Sequence, residues 1–288
     1  MQHAGRYTMR GFTLLELMVA MTLSVVTVGA ASSIYIVQQR QYSKQRMLHA
    51  AWHSLWGGLQ VMEKEIRKAG YDPEDSGAFG IVDVRRYDLV NAKELSLQGQ
   101  PVLFYTSDAD ENGGLDLRHK GHNREHPKFR ISDVHGNGRV CLTWDNGSGR
   151  RPLADHIQAM GFAFALDRNG DGYLDAAAGS DHVIWAVDSD NDNLLDANID
   201  TNTDGIIDER DDTNRDGKID WADGGKLDQP VQLGSIRVVR VWLLVRTAKM
   251  LMGHVDRRRH VIGDRVYKPA QDGYARLVVS STIVGRNL

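Results

Sequence analysis

Between residues 167 and 223, aspartate recurs at a spacing suited to a divalent cation. The pattern D-x-[DN]-x-D-[GN]-x-[hydrophobic]-D is present in four copies. The first runs through Asp167, Asn169, Asp171, Gly172, Leu174 and Asp175, and the second through Asp188, Asp190, Asp192, Asn193, Leu195 and Asp196. The third uses Asp200, Asn202, Asp204, Gly205, Ile207 and Asp208, and the fourth Asp212, Asn214, Asp216, Gly217, Ile219 and Asp220. The last three copies start 12 residues apart, a true internal repeat. Calcium takes about 6–8 hard oxygen ligands. Alternate residues at positions 1, 3 and 5 of a tight loop can turn carboxylates or amides inward. Glycine at position 6 permits the sharp turn, and Asn193 is the next best residue for a left-handed backbone. The position 7 carbonyl, of Tyr173, Leu194, Ile206 or Lys218, would add a ligand, and the position 9 aspartate could bind through water. Position 12 is Asp211 and Asp223 in the third and fourth loops but Ala178 and Ile199 in the first two. The loops also lack flanking paired helices, so they are not standard EF-hands. The first two must draw their missing ligands from elsewhere. The expected cofactor is calcium, in two to four sites.

Charge distribution agrees. The 288-residue chain has a net charge of only -3, yet residues 161–230 hold 18 acidic against 5 basic side chains. Such a block repels itself unless cations neutralise it. A single cysteine, Cys141, excludes an intrachain disulfide framework and a cysteine-built zinc site, and is expected to be a packed strand residue. His119, His122, His126 and His135 cluster without familiar metal spacing. The run Arg257-Arg258-Arg259-His260 reads as a solvated loop, and no nucleic-acid partner is expected. There is no P-loop, nucleophile elbow or H-E-x-x-H helix, so the chain is not expected to be an enzyme.

A second unusual carboxylate lies near the N-terminus. From Phe12 to Val37 the chain is apolar, with Glu16 as its one charge. A helix of that length spans roughly 39 Å, enough for a bilayer core of about 30 Å. Arg6 and Arg10 favour a cytoplasmic N-terminus. A carboxylate within such a helix costs on the order of 2.5–3.5 kcal/mol. It needs a positive partner, which the segment does not supply.

Gly11-Phe12-Thr13-Leu14-Leu15-Glu16-Leu17-Met18-Val19 closely resembles the N-terminal motif of type IV pilins and pseudopilins. The resemblance implies that a prepilin peptidase cuts after Gly11 and that Phe12 is then N-methylated. It implies that Glu16 pairs with the N-terminal amine of a neighbouring subunit during filament assembly. Met62 to Pro73, with its Ile66-Arg67-Lys68-Ala69-Gly70-Tyr71 core, resembles the helix ending of PilW-like minor pilins, as the closing Arg286-Asn287-Leu288 does more loosely. GspJ pseudopilins of type II secretion share this plan. The acidic loops resemble dockerin-like or thrombospondin type 3 calcium loops. The implied protein is a minor pilin that primes a type IV pilus or sits at its tip, anchored in the bacterial inner membrane before it joins a periplasmic or extracellular filament. Its implied partners are other major and minor pilins. A GspJ-like pseudopilin and a calcium-dependent tip adhesin are the alternatives.

The elements that position these residues are an N-terminal helix and a sheet. Leu48, Trp52, Leu55, Leu59, Met62, Ile66 and Ala69 step by 4 and 3, one face of a helix that continues from Phe12 to Ala69. Gly70 is its stop signal. Period-two alternation marks strands at Val140–Trp144, Met160–Leu166, Val239–Val245 and Leu277–Ile283. Turn signals stand at Asn112-Gly113, Asn137-Gly138, Asn146-Gly147 and Asp272-Gly273. The predicted fold is α+β, a long helix on an antiparallel sheet, which is also the pilin fold. The expected segments are a leader over 1–11, a membrane-spanning, filament-core helix over 12–37 and its amphipathic continuation over 38–70. A β-rich part covers 71–166, the acidic calcium insert 167–228 and the closing strands 229–288.

Overall fold

A computed structural model describes residues 11–87, 99–115, 125–134, 140–146 and 149–288. One helix, α1, runs over Leu14–Ile66. The chain divides into two units, one ending at Met47 and the other spanning Leu48–Leu288.

In the first unit every helical side chain before Met47 is exposed, including the large apolar ones from Leu14 to Val37. This helix is long and apolar enough to cross a membrane. Its hydroxyls turn back on the helix: Thr22 donates to Val19 O, Ser24 to Ala20 O, Thr27 to Leu23 O and Ser33 to Gly29 O. These four hydroxyls so find partners within the helix, which suits an apolar surrounding.

In the second unit the rest of α1 buries Ala51, Leu55, Gly58, Leu59, Met62 and Ile66. The sequence expectation placed Trp52 on this face. The structure leaves Trp52 exposed, its ring stacked 6.3 Å from Trp56, and gives the buried positions to Ala51 and Gly58. The small residues are needed because a Cβ on Gly58 would come within 2.9 Å of Ala154 Cβ. The helix stops at Ile66, three residues before the expected end. Lys68 and Ala69 make i→i−3 bonds, and Gly70, at φ 75°, donates to Thr106 O. A side chain on Gly70 would collide with the Asn287 carbonyl, so the C-terminal residues seal this helix end.

Two antiparallel sheets follow. Strands β1 (Ile81–Asp83), β2 (Arg86–Tyr87), β3 (Gln100–Pro101), β4 (Leu103–Tyr105), β5 (Lys128–Ser132), β6 (Cys141–Asp145) and β7 (Arg150–Asp155) come first. They supply a sheet ordered β1-β4-β5-β6-β7, with β2 and β3 paired apart from it. Then come β8 (Ile157–Leu166), β9 (Ala186–Val187), β10 (Leu195–Asn198), β11 (Lys226–Val231), β12 (Ile236–Arg246), β13 (His260–Ile262), β14 (Arg265–Tyr267) and β15 (Arg276–Val284). The larger sheet is ordered β11-β10-β9-β8-β12-β15, and β13 and β14 form a separate hairpin. The acidic stretch is therefore part of the larger sheet, to which it supplies β9, β10 and part of β11.

Alternation along β8 and β12 divides the core. Met160, Phe162, Phe164, Val239, Val241 and Leu243 join Leu55, Leu59 and Met62 in an inner cluster. Ala159, Ala163, Trp242 and Leu244 point the other way, into an outer cluster closed by Ile199, Ile219, Ile262 and Val266. Each large side chain so buried contributes roughly 1.5–3 kcal/mol. Cys141 is buried on β6, where its Sγ donates to Ser132 O and burial raises its pKa. His119, His122 and His135 lie outside the described residues, as do Asn137-Gly138 and Gly147 of the expected turns. His260 is not a solvated loop residue: it opens β13, buried, with Nε2 3.2 Å from Asp256 Oδ2.

Candidate functional site

At the N-terminus, Thr13 and Glu16 form a reciprocal cap. Thr13 N and Oγ1 each donate to Glu16 Oε2 at 2.9 Å, and Glu16 N donates to Thr13 Oγ1 at 3.3 Å. This is the capping-box arrangement, three residues apart at a helix start. The carboxylate thus faces the chain end on which Gly11 and Phe12 lie, and Phe12 is 90% exposed.

The four acidic loops share one conformation. In each, the position 1 carboxylate is buried and accepts the position 6 N–H: Gly172 to Asp167 at 3.1 Å, Asn193 to Asp188 at 2.8 Å, Gly205 to Asp200 at 2.9 Å and Gly217 to Asp212 at 3.0 Å. The position 3 side chains of Asn169, Asp190, Asn202 and Asn214 accept from the position 5 N–H. The position 5 carboxylates of Asp171, Asp192, Asp204 and Asp216 accept from the N–H of Tyr173, Leu194, Ile206 and Lys218. Positions 4 and 6 are both left-handed in every loop. At position 4 this falls on Asn191, Thr203 and Arg215, which L residues rarely tolerate.

The loops close in two ways. In the third, buried Asp211 accepts from Thr201 N at 2.9 Å and Asp208 N at 2.8 Å. In the fourth, Asp223 accepts from Asn214 N, Thr213 Oγ1 and Asp220 N. The first two loops have no position 12 acid, and their position 9 residues take over. Asp175 accepts from Arg168 N and Nε, and Asp196 from Ser189 N and Oγ. Asp208 is instead gripped by Arg210, which holds its carboxyl below the usual range. Burial pushes Asp188 and Asp211 above it.

The donor set fits a hard cation. Carboxylate oxygens of Asp188, Asp190 and Asp192 lie within 4.8 Å of one another. In the fourth loop, Asp212 Oδ1 is buried with no hydrogen-bond partner, beside an Oδ2 already bonded to Gly217. A buried carboxylate oxygen without a donor is costly unless a cation meets it. These loops would hold calcium through all-oxygen ligands, the class it prefers.

Asn193 does more than tolerate its backbone angle. Its amide accepts from Val84 N at 3.1 Å and donates to Val82 O at 2.9 Å. Asn191 does the same with Arg86, accepting from its N and donating to its O. The second loop therefore clasps the segment from β1 to β2.

Sequence reasoning missed a further loop of this register. Asp108, Asp110, Asn112 and Gly113 repeat it, with Glu111 and Gly113 left-handed, Gly113 N donating to Asp108 Oδ2 and Gly114 N to Asn112 Oδ1. Asn112-Gly113 is thus not a hairpin turn. Carboxylates of Asp108, Asp110 and the buried Glu125 lie within 4.8 Å of one another. The pattern was visible in the sequence, but Glu125 falls outside any 12-residue window.

Residues 6–32 match the family model described as the prokaryotic N-terminal methylation motif. No curated protein matches the chain. Among solved structures, the chain is similar to a type IV-like pilin, TTHA1219, from Thermus thermophilus, at 10% identity and a TM-score of 0.34, covering 82% of this chain and 96% of that one. The chain thus carries the prokaryotic N-terminal methylation motif at the head of a long apolar helix, followed in sequence by two antiparallel sheets.

Proposed function

We propose that this chain is a PilW-like minor pilin that primes assembly of a type IV pilus or sits at its tip, with calcium ordering its acidic loops. The observation that carries the reading is Glu16, a carboxylate at the start of an exposed apolar helix within the matched methylation motif. Glu16 caps its own helix through Thr13 until the methylated Phe12 amine of a neighbouring subunit competes for it. Prepilin peptidase cuts after Gly11, and the helix holds the subunit in the inner membrane beforehand. Calcium binds the loops beginning at Asp167, Asp188, Asp200 and Asp212. Extracellular calcium modules have dissociation constants of about 10⁻⁴–10⁻³ M, so ordering follows export.

The test is deletion of the gene with complementation, measuring major pilin in the sheared surface fraction. A collapse restored by complementation supports priming. Unchanged surface pili would favour a GspJ-like pseudopilin or a calcium-dependent adhesin. Chelation is expected to make residues 167–223 protease-sensitive, and identical digestion with and without calcium would remove the cofactor from the proposal.

A further inference from the structure

The fourth loop is wired to the layer that closes the outer face of the larger sheet. Gly217 O accepts from Val266 N at 3.0 Å, and Ile219 N donates to Asp264 O at 2.9 Å. Lys218 bridges Arg265 between them. The β13–β14 hairpin is thus an extension of the loop. Ile219, at position 8, is fully buried beside Ile262, Val266 and Trp242. The hairpin tip lies directly on the sheet, because a Cβ on Gly161 of β8 would come within 2.7 Å of Ile262 and Gly263 backbone atoms. Asp264 at that tip is ion-paired with Arg86, whose backbone the second loop's Asn191 holds.

The loop itself carries the unsatisfied group. Asp212 is 5% exposed, its Oδ2 bonds Gly217 N, and its Oδ1 has no partner. Asp212 thus holds both the cation-seeking oxygen and the N–H of Gly217, the residue whose carbonyl ties down Val266.

We propose that a divalent cation in the fourth loop is the latch of the outer layer: bound at Asp212, it fixes Gly217–Ile219 and with them the β13–β14 hairpin over Trp242. This rests on the calcium reading and adds a regulated element to it. Without the cation, loop and hairpin open together while the inner core, built on α1, stays closed.

The test is amide hydrogen exchange on the full-length chain in detergent, in chelator and in calcium, with bound calcium measured in parallel. At calcium about ten times the dissociation constant, linkage gives about a tenfold slowing for a coupled segment. The expected result is that slowing in both 212–223 and 260–267, none in 157–166, and its loss in Asp212→Asn. Asp167→Asn, in the unconnected first loop, should keep it, which also shows that a lost loop aspartate does not unfold the protein. Calcium bound with 212–223 slowed but 260–267 unchanged overturns the latch and leaves the calcium reading standing. No calcium bound overturns both.

Discussion

Arg276 is 6% exposed and holds three side-chain partners: Gln158 through Nε, Asp272 through a paired contact and Asp256 at 3.1 Å. Burial alone would raise Asp256, but bonds from His260, Arg258 and Arg276 outweigh it and keep its pKa low. The Arg276 hydrogen bonds lower Asp272 as well. Carboxyls depressed in the folded state stabilise it above their unfolded value of about 4 and lose that contribution as pH falls through the folded value. The thermal midpoint should therefore drop steeply below about pH 4. Arg276→Gln should cost about 3 kcal/mol at neutral pH, because it takes from the buried Asp256 its buried guanidinium partner and leaves only His260 and Arg258, and should flatten the acid dependence. An unchanged acid slope in that variant would place the sensitivity elsewhere. At the other end of the chain, Glu16→Ala should leave membrane insertion intact and block incorporation into filaments, read by fractionation against sheared pili. Normal incorporation would leave Glu16 as a helix cap alone.

Among elements, α1 shows what periodicity can and cannot say. The 4-3 spacing of Leu55, Leu59, Met62 and Ile66 gave the face correctly, because burial recurs every turn. It misplaced Trp52, since spacing does not register that Ala154 and Leu142 leave room only for a hydrogen at position 58. Gly58→Val should destabilise by about 1–3 kcal/mol through overpacking. Gly57, next to it, faces open space, and Gly57→Ala should stabilise by up to about 1 kcal/mol through helix propensity alone. Thermal melts of the two variants should move in opposite directions. The acidic loops were legible because their aspartates and asparagines sit at fixed offsets within one short segment. Their ties to distant backbone, Asn193 to Val82 and Gly217 to Val266, were not, because nothing local encodes which strand a loop will meet.

At the scale of the whole molecule, charge is distributed very unevenly: 18 acidic against 5 basic side chains over residues 161–230, although the total is only -3. These carboxylates share loops and a sheet edge with buried apolar residues, so their mutual repulsion acts on the fold itself. In chelator, raising sodium chloride to about 1 M, where the screening length is about 3 Å, should raise the thermal midpoint. If calcium binds as proposed, the same salt should change it little in calcium, since the bound cations would already offset the charge. No salt effect in chelator would mean that repulsion does not limit stability. The order of strands in the larger sheet has a different consequence, one of timing. Its longest strand, β12, lies between β8 and the edge strand β15, so its final neighbour is synthesised last. Ser281 on that last strand meets Glu63 of α1 across 218 residues of chain. A polypeptide threaded through a membrane from its N-terminus would present the apolar face of Leu55, Leu59 and Met62 long before the sheet that covers it exists. If the chain is exported as proposed, that face stays uncovered until the last strand has crossed, and contacts so distant in sequence are expected to slow folding.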